Sequence, residues 1–558
     1  MALITLAAAA TCSARDPLSG PPGYESPGLV GGGGWPYAQA AVSPEDAEGA
    51  SYILDSSVLR LADGRVMLIP HGSTQPVTVP ITDPRVGAAV KGDRDWLNSG
   101  TVPGASLEHR GMAARALLDL RLLTNETGAS TASWYGMWNY VWPRDAAFHA
   151  AAFAVTGHLP EARSVLSFLA RVQGGDGSWD TRYRTDGSAV DDGRAIQLDE
   201  IGWVLWATWF TSRFDPGGEE TAPWRMVKAA ADWIAGNLGP DGLPPAGSDY
   251  FERRPSAEQD PGRPTLGVSA PLLAGLRSAT ALADEGGHRR EAARWGSAAK
   301  TLDEAIRREY GPHGYPRSPI DGGDMDASVT FLAPPYAPRD LGVDFALGRA
   351  AERLGLENGG LLPGENWAGS QTTAWTPEVA MFALADAASG RTVQAGAWLD
   401  WLAAHRTSLG VLPEKVDADH RPASVAPLGW TASLVLLALH ALTDPLPTPP
   451  TPNPPPTPQA KRALTPRTHT PPHDVGQARS RPAPHAPPTA RAKRASATHP
   501  TRGRTTRAKR AHAPHPTRHQ QRELSALAPR AQRAAVQRAP SALAAHARRA
   551  AEQPGQAR

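Results

Sequence analysis

Residues 105–444 are expected to fold as an all-α domain, a closed double ring of helices. Two regularities predict it: charge alternates between successive helical segments, and so does the length of the links between them. Twelve segments have helical periodicity, near 105–123, 144–156, 160–173, 197–214, 222–238, 269–284, 288–309, 326–333, 340–354, 375–389, 393–407 and 428–443. In the third, Val165, Leu166, Leu169 and Val172 recur at helical spacing behind Pro160, a first-turn proline. Segment 428–443 has no acidic or strongly basic residue, and 144–156 and 197–214 have charges only near their ends. Segment 288–309 opens on His-Arg-Arg-Glu and closes on Ile-Arg-Arg-Glu, so one of its faces is solvated. A helix apolar on every side must be covered on every side. The even-numbered segments therefore form an inner ring and the odd ones an outer ring. Inner-to-outer links are short (157–159, 215–221, 285–287, 390–392), which makes antiparallel neighbours. Outer-to-inner links are long (124–143, 174–196, 239–268, 310–325, 355–374, 408–427). Six such pairs close into an (α/α)6 barrel with all six long loops at one mouth, over the N-termini of the inner helices. Loops above about 15 residues in a compact domain are usually functional, so this mouth is the expected site.

Ahead of the barrel, residues 51–104 read as a small β-rich appendage. Runs 58–61 and 65–69 flank Asp63-Gly64, a hairpin signal, and 77–81 alternates like a third strand. Residues 13–50 have the Gly, Pro and Ser content of a linker. The apolar run 2–11 ahead of Cys12 resembles the end of an export signal, so export and a lipid anchor at Cys12 are expected, against the plainer reading of an Ala-rich terminus. Cys12 is the single cysteine of the 558 residues, so no disulfide and no cysteine metal cluster is expected. No other run of about 18 apolar residues suggests a membrane span.

The net charge of +2 averages two unlike parts. From Pro445 onward 21 basic residues face 3 acidic ones, a net +18; residues 1–444 hold 36 basic and 52 acidic, a net −16. The Pro/Ala/Arg-rich stretch 445–558 has almost no aromatics, cannot bury a core, and is expected to be a disordered tail. The acidic body argues against a nucleic-acid partner and suits a neutral, hydroxyl-rich ligand.

The 17 tryptophans point the same way. Residues 134–145 pack Trp134, Tyr135, Trp138, Tyr140 and Trp142 ahead of Pro143-Arg144-Asp145. Flat aromatic faces stack on the C–H face of a pyranose, and an adjacent charged pair hydrogen-bonds its hydroxyls. Cleaving a glycoside usually takes two carboxyls across a pocket. Glu252 and Glu414 stand in long loops that lie opposite each other across a six-pair ring, although each by position alone also reads as a solvated charge. No phosphate loop, Cys/His metal spacing or serine elbow is present, so neither cofactor nor metal is expected.

Four pieces in one order resemble glycoside hydrolase family 15, the glucoamylase and glucodextranase family: Tyr140-Val141-Trp142-Pro143-Arg144-Asp145-Ala146; Gln197-Leu198-Asp199-Glu200; Asp249-Tyr250-Phe251-Glu252-Arg253; and Leu412-Pro413-Glu414-Lys415-Val416 followed by Pro427-Leu428-Gly429-Trp430. The resemblance implies an (α/α)6 barrel and an exo-acting enzyme that releases glucose from starch-like, dextran-like or trehalose α-glucosides with inversion. It implies Glu252 as general acid and Glu414 as general base. Arg144 and Asp145 become a clamp on the terminal glucose, and Trp138, Tyr140 and Trp142 line the pocket. Asp199, Phe251, Arg253 and Trp367 complete the expected sugar-binding set. Two positions depart from the family pattern. Phe251 stands where a Trp usually precedes the acid. The loop at 359–367 lacks the family's sugar-binding Arg-Tyr pair, and there Glu365, Asn366 and Trp367 are the substitutes. That second departure keeps open a glycan-binding protein that retains the barrel without turnover.

Overall fold

The computed structural model describes residues 27–34, 37–215, 223–251, 263–320, 324–365 and 367–451. All of them belong to one compact unit, Met1–Pro466; a second unit, Arg467–Arg558, lies outside the described residues, as does Cys12. The N-terminal part holds β1 (Leu29–Val30), β2 (Ala40–Ala41), α1 (Pro44–Ala47), β3 (Ser51–Tyr52), β4 (Leu59–Arg60), β5 (Val66–Leu68), β6 (Val77–Val79) and α2 (Pro84–Asn98). The barrel follows: α3 (Leu107–Leu123), α4 (Pro143–Val155), α5 (Leu159–Val172), α6 (Asp199–Phe214), α7 (Trp224–Gly236), α8 (Leu266–Glu285), α9 (Arg289–Glu309), a 3-10 helix (Ala327–Leu332), α10 (Leu341–Leu354), β7 (Ala374–Trp375), α11 (Thr376–Ala388), α12 (Thr392–Ala404), β8 (Lys415–Val416), β9 (Pro422–Ala423) and α13 (Gly429–Ala441).

The chain folds as the expected all-α (α/α)6 barrel. The inner ring runs α4, α6, α8, the 3-10 helix, α11 and α13, and closes from α13 back to α4. Every residue of α4 is buried, and so are all but one of the thirteen in α11, as helices without a charged face require. The outer helices bury one stripe: α5 buries Ala162, Val165, Leu166, Phe168 and Leu169 and leaves its other face to solvent. The eighth element is shorter than a full α-helix, because Ala327–Leu332 winds as 3-10 from an Asp326 cap and then breaks at Pro334-Pro335. By length and composition α8 is apolar enough to cross a membrane, but it lies buried within the ring.

The barrel centre is filled by rings. Trp203 stands 4.9 Å from both Phe331 and Tyr336, centroid to centroid, and Phe148 packs on Trp203 at 5.1 Å and on Trp430 at 5.9 Å. Backbones of α6 and α8 touch at Gly202: a Cβ there would lie 2.1 Å from the Pro271 carbonyl oxygen.

The segments flanking the barrel differ from the expectation in three places. The hairpin at Asp63-Gly64 is present, with Gly64 at φ +84, and β3-β4-β5-β6 form an antiparallel meander with Leu59 opposite Met67 and Val66 opposite Val79. Within the same segment, however, Pro84–Asn98 is a helix, started by Asp83 accepting from the Arg85 N–H. The linker composition of 13–50 conceals β1 and β2, whose Val30 is buried in a cluster with Val42, Leu59, Leu409 and Val411. At the other end Leu446 packs into the barrel core, so ordered chain continues past residue 444.

Gly202→Ala should destabilise the barrel by about 1–3 kcal/mol, because two helix backbones must part to admit one methyl group. Gly348→Ala on exposed α10, where a Cβ meets nothing within 4 Å, should instead stabilise by about 0.5–1 kcal/mol. Urea midpoints at constant slope check both.

Candidate functional site

The long loops hold the mouth together by pairing with one another. Gly429 N–H donates to the Ala132 carbonyl at 2.9 Å, Ser133 Oγ to the Pro427 carbonyl at 2.6 Å, and Trp134 Nε1 to the Ala426 carbonyl at 2.9 Å. These bonds lay the 124–142 loop on the 405–428 loop. A three-stranded sheet β7-β8-β9 ties the 355–375 loop to the same place, with Trp375 opposite Lys415 and Lys415 opposite Ala423.

Glu414 sits where these loops meet, 7 % exposed, one residue ahead of β8. Trp138 Nε1 donates to its Oε1 at 3.2 Å, Ser424 Oγ donates to its Oε2, and Lys415 Nζ stands 3.4 Å from Oε2. Ser424, the residue that follows β9, reaches it from φ +67, a left-handed conformation that costs a non-glycine residue free energy. Lys415 also stands 4.0 Å over the Trp375 ring. A carboxylate with three donors around it is held in one orientation.

Arg144 and Asp145 occupy the first turn of α4, both 4 % exposed. Arg144 donates to Gln197 Oε1 at 2.6 Å and Asp199 Oδ2 at 3.3 Å, lies 3.3 Å from Asp145 Oδ2, and stacks 4.8 Å from the Trp430 ring. Asp199 and Glu200 are wholly buried in the first turn of α6. Burial pushes the Asp199 carboxyl up to about 7, with Arg144 opposing and Asp249 adding to the rise. Tyr140 and Trp142 form an edge-to-face pair at 6.3 Å under the Arg182 guanidinium, which Asp192 pairs.

Opposite, Phe251 is half-buried, 4.8 Å from Tyr250 and 5.1 Å from Trp367, which itself stacks edge-on to Trp375 at 5.0 Å. The structure thus brings Trp138, Tyr140, Trp142, Arg144, Asp145, Asp199, Phe251, Trp367 and Glu414 to one end of the barrel. Glu252, Arg253 and Asn366 lie outside the described residues. Glu365 does not turn to the site as a substitute for the absent arginine: its Oε2 accepts from Met325 N–H at 2.6 Å and Arg353 Nη1 at 3.1 Å.

One group was not legible beforehand. Arg317, in the 310–326 loop, is fully enclosed. It binds Asp249 through Nη2 at 2.7 and 2.8 Å and Asp326 through Nη1 at 2.7 Å, and its guanidinium lies 4.0 Å over the Phe251 ring. Asp249 in turn accepts from Phe251 N–H at 3.0 Å and Thr265 Oγ1 at 2.6 Å, and Thr265 caps α8. Burial alone lowers an arginine's proton affinity, but the two aspartates hold that of Arg317 above its usual range. Burial raises Asp326 while Arg317 opposes. A lone Arg in Tyr-Pro-Arg-Ser has no distance signature; only the two aspartates, 68 and 9 residues away, reveal its purpose.

Among the described residues no group of three His, Cys, Asp or Glu has metal-binding geometry. The Tyr250 hydroxyl and Trp430 Nε1, both beside the mouth, have no hydrogen-bond partner among those residues.

Comparison with known proteins agrees on the architecture. No protein-family profile matches the chain. A 95-residue stretch, 17 % of this chain and 15 % of the relative, is 34 % identical to an uncharacterized glycosyl hydrolase of Methanocaldococcus jannaschii. The match thus spans under a fifth of the curated relative. Among solved structures, a glycosidase variant in complex with glucose is similar with TM-score 0.52 and 18 % identity, over 61 % of this chain and 99 % of that one. A bacterial glucoamylase complexed with acarbose is similar with TM-score 0.53 and 19 % identity, over 65 % and 60 %. At these identities the likeness establishes a shared fold.

Arg317→Met should cost about 3–5 kcal/mol, since it leaves Asp249 and Asp326 buried beside no cation. Adding Asp249→Asn and Asp326→Asn to it should recover most of that loss. Denaturant titration of the single and triple variants decides; equal losses in both would mean that ion pairing is not what holds this corner.

Proposed function

We propose that this chain is a glycoside hydrolase, and more finely an exo-acting, inverting enzyme that releases glucose from α-glucosides. The observation that carries the reading is Glu414. It is a buried carboxyl at the mouth, gripped by Trp138, Ser424 and Lys415, in the same loop cluster as the Arg144–Asp145 pair. The glycosidases that share the fold support the reaction class, and two of them hold glucose and acarbose.

In this reading the terminal glucose stacks on Trp138, Tyr140 and Trp142, and Arg144 and Asp145 take its hydroxyls. Glu252 gives its proton to the departing glycosidic oxygen. Glu414 removes a proton from a water as that water attacks the anomeric carbon from the other face. Inversion needs room for the water, so the carboxyls of Glu252 and Glu414 are expected about 6.5–9.5 Å apart. The Arg317–Asp249 pair fixes Phe251, the residue ahead of Glu252, and so sets where the acid loop begins.

A second reading is favoured by the 359–367 loop, where no arginine faces the sugar and Glu365 is tied to Met325 and Arg353. It is a glycan-binding barrel without turnover. Incubating the full chain with maltose, isomaltose, dextran and trehalose separates the two. Released β-glucose supports the inverting enzyme, initial α-glucose rules out inversion, and binding without cleavage supports the second reading. Glu252→Gln and Glu414→Gln should each cut turnover by at least about 100-fold; near-normal rates in either variant remove that residue from its role.

A further inference from the structure

The chain holds seven lysines against 50 arginines. Three of the seven stand on helices: Lys91 on α2, Lys228 on α7 and Lys300 on α9. Each pairs with an acid four residues further along its own helix, Asp95, Asp232 and Glu304, and their side chains are 74, 42 and 65 % exposed. Such pairs are solvated and contribute little. Lys415 is different. Among the described residues it is the one lysine in a long loop, and its side chain is 24 % exposed.

Two partners hold it. Its Nζ stands 3.4 Å from Glu414 Oε2 and 4.0 Å from the centre of the Trp375 ring. The sheet imposes the second contact. Trp375 on β7 and Lys415 on β8 are register partners, so their side chains leave the same face, and the residue opposite Lys415 on β9 is only Ala423. Trp375 is fixed in turn. It meets Trp367 edge-on at 5.0 Å, Trp367 meets Phe251 edge-on at 5.1 Å, and the Arg317 guanidinium lies 4.0 Å over Phe251. The next residue, Thr376, donates its N–H to the Glu414 carbonyl at 3.0 Å and its Oγ1 to the Pro413 carbonyl at 2.6 Å. The ring that carries the lysine and the backbone of Glu414 therefore move as one body.

A carboxylate offers about four lone-pair positions, two on each oxygen. Ser424 Oγ and Lys415 Nζ both approach Oε2, and Trp138 Nε1 meets Oε1 alone. The remaining position is therefore on Oε1. An ammonium suits this arrangement because it is a compact point charge, whereas an arginine fork tends to engage both oxygens of a carboxylate. A lysine on a free surface would spread over many rotamers. The face of an indole attracts the ammonium and removes that freedom. Without Lys415, Glu414 would keep two neutral donors and lose the one that carries charge.

We propose that Lys415 is a positioning residue for Glu414: clamped on the Trp375 ring, its ammonium takes Oε2 and leaves Oε1 as the oxygen that receives the proton of the attacking water. Lys415 acts through Glu414 and through no contact with the sugar. This role rests on reading Glu414 as the base; the clamp itself is tested without substrate.

Carbon-13 labelling of lysine in the full chain gives seven sets of side-chain NMR signals, and Lys415 is the set that Lys415→Met removes. In the wild type its ε-methylene signals should lie upfield of the other six, shifted by the aromatic face beside them. Trp375→Leu should return them to the position of the others. Glu414→Gln should move them as well, because the ammonium loses its anion. If the chain hydrolyses a glycoside, Lys415→Met should lower kcat by about tenfold or more and leave KM within about twofold. Trp375→Leu should lower kcat in the same sense, and the double variant should be no slower than Lys415→Met, because the ring acts through the lysine. Wild-type Lys415 signals lying with the others, signals unmoved in Glu414→Gln, a raised KM with kcat kept, or additive losses in the double variant would each overturn the proposal. Should Trp375→Leu fail to fold, the wild-type shift and its response to Glu414→Gln decide. A chain that cleaves no sugar would end the hydrolase reading, and the lysine spectra would then decide the clamp by themselves.

Discussion

The inner helices α4, α6, α8, α11 and α13 are buried over most of their length, and a charge placed there without a partner would cost several kcal/mol. The N-terminal turns of α4, α6 and α11, where the helix offers unbonded N–H groups and the long loops bring counter-charges, hold one set of their buried charges, while Arg277, midway along α8, is buried against Asp303. Arg144, Asp145, Asp199, Glu200 and Glu378 all stand in such turns. The aromatic plug of Phe148, Trp203, Phe331 and Tyr336 closes the ring below them. A polar mouth over an apolar floor follows from burial alone, before any question of chemistry.

Within that mouth, two charges organise two sides. Arg144 gathers Gln197, Asp199 and Asp145, joining the loops ahead of α4 and α6. Arg317 gathers Asp249 and Asp326, joining the loops ahead of α8 and the 3-10 helix, and presses on Phe251. Each is a buried cation shared by two carboxylates. Such pairs add little net stability against an apolar filling, but they are costly to break singly, so they specify one arrangement. Glu414 is held differently, at a sheet edge, by the Trp138 indole, the Ser424 hydroxyl and the Lys415 ammonium.

Most of the fold was legible because it is written in period and length. Helical spacing placed twelve segments, and all twelve are present, the eighth as a short 3-10 turn. Chargeless 428–443 had to be inside, and α13 is. What failed to show was local and short. Strands of two residues such as Leu29–Val30 have no alternation to detect, and α2 was hidden behind the strand pattern preceding it. In the site, Trp138, Arg144 and Glu414 could be picked out because each sits in a stretch dense with unusual residues. Arg317 could not, since a single Arg in a loop is common and carries no spacing.

The sequence by itself determined the double ring, the end of it on which the loops gather, and the residue types that loop chemistry would draw on. Apolar stripes and link lengths are local properties, and they act on the chain wherever it folds. The tertiary structure decided which charges meet. Arg317 finds Asp249 across 68 residues, and Glu365 turns away from the mouth to Met325 and Arg353. Thr376, at the start of α11, finds the Glu414 carbonyl. Those pairings depend on distances of a few ångströms between loops far apart in the chain, and only the closed ring sets them.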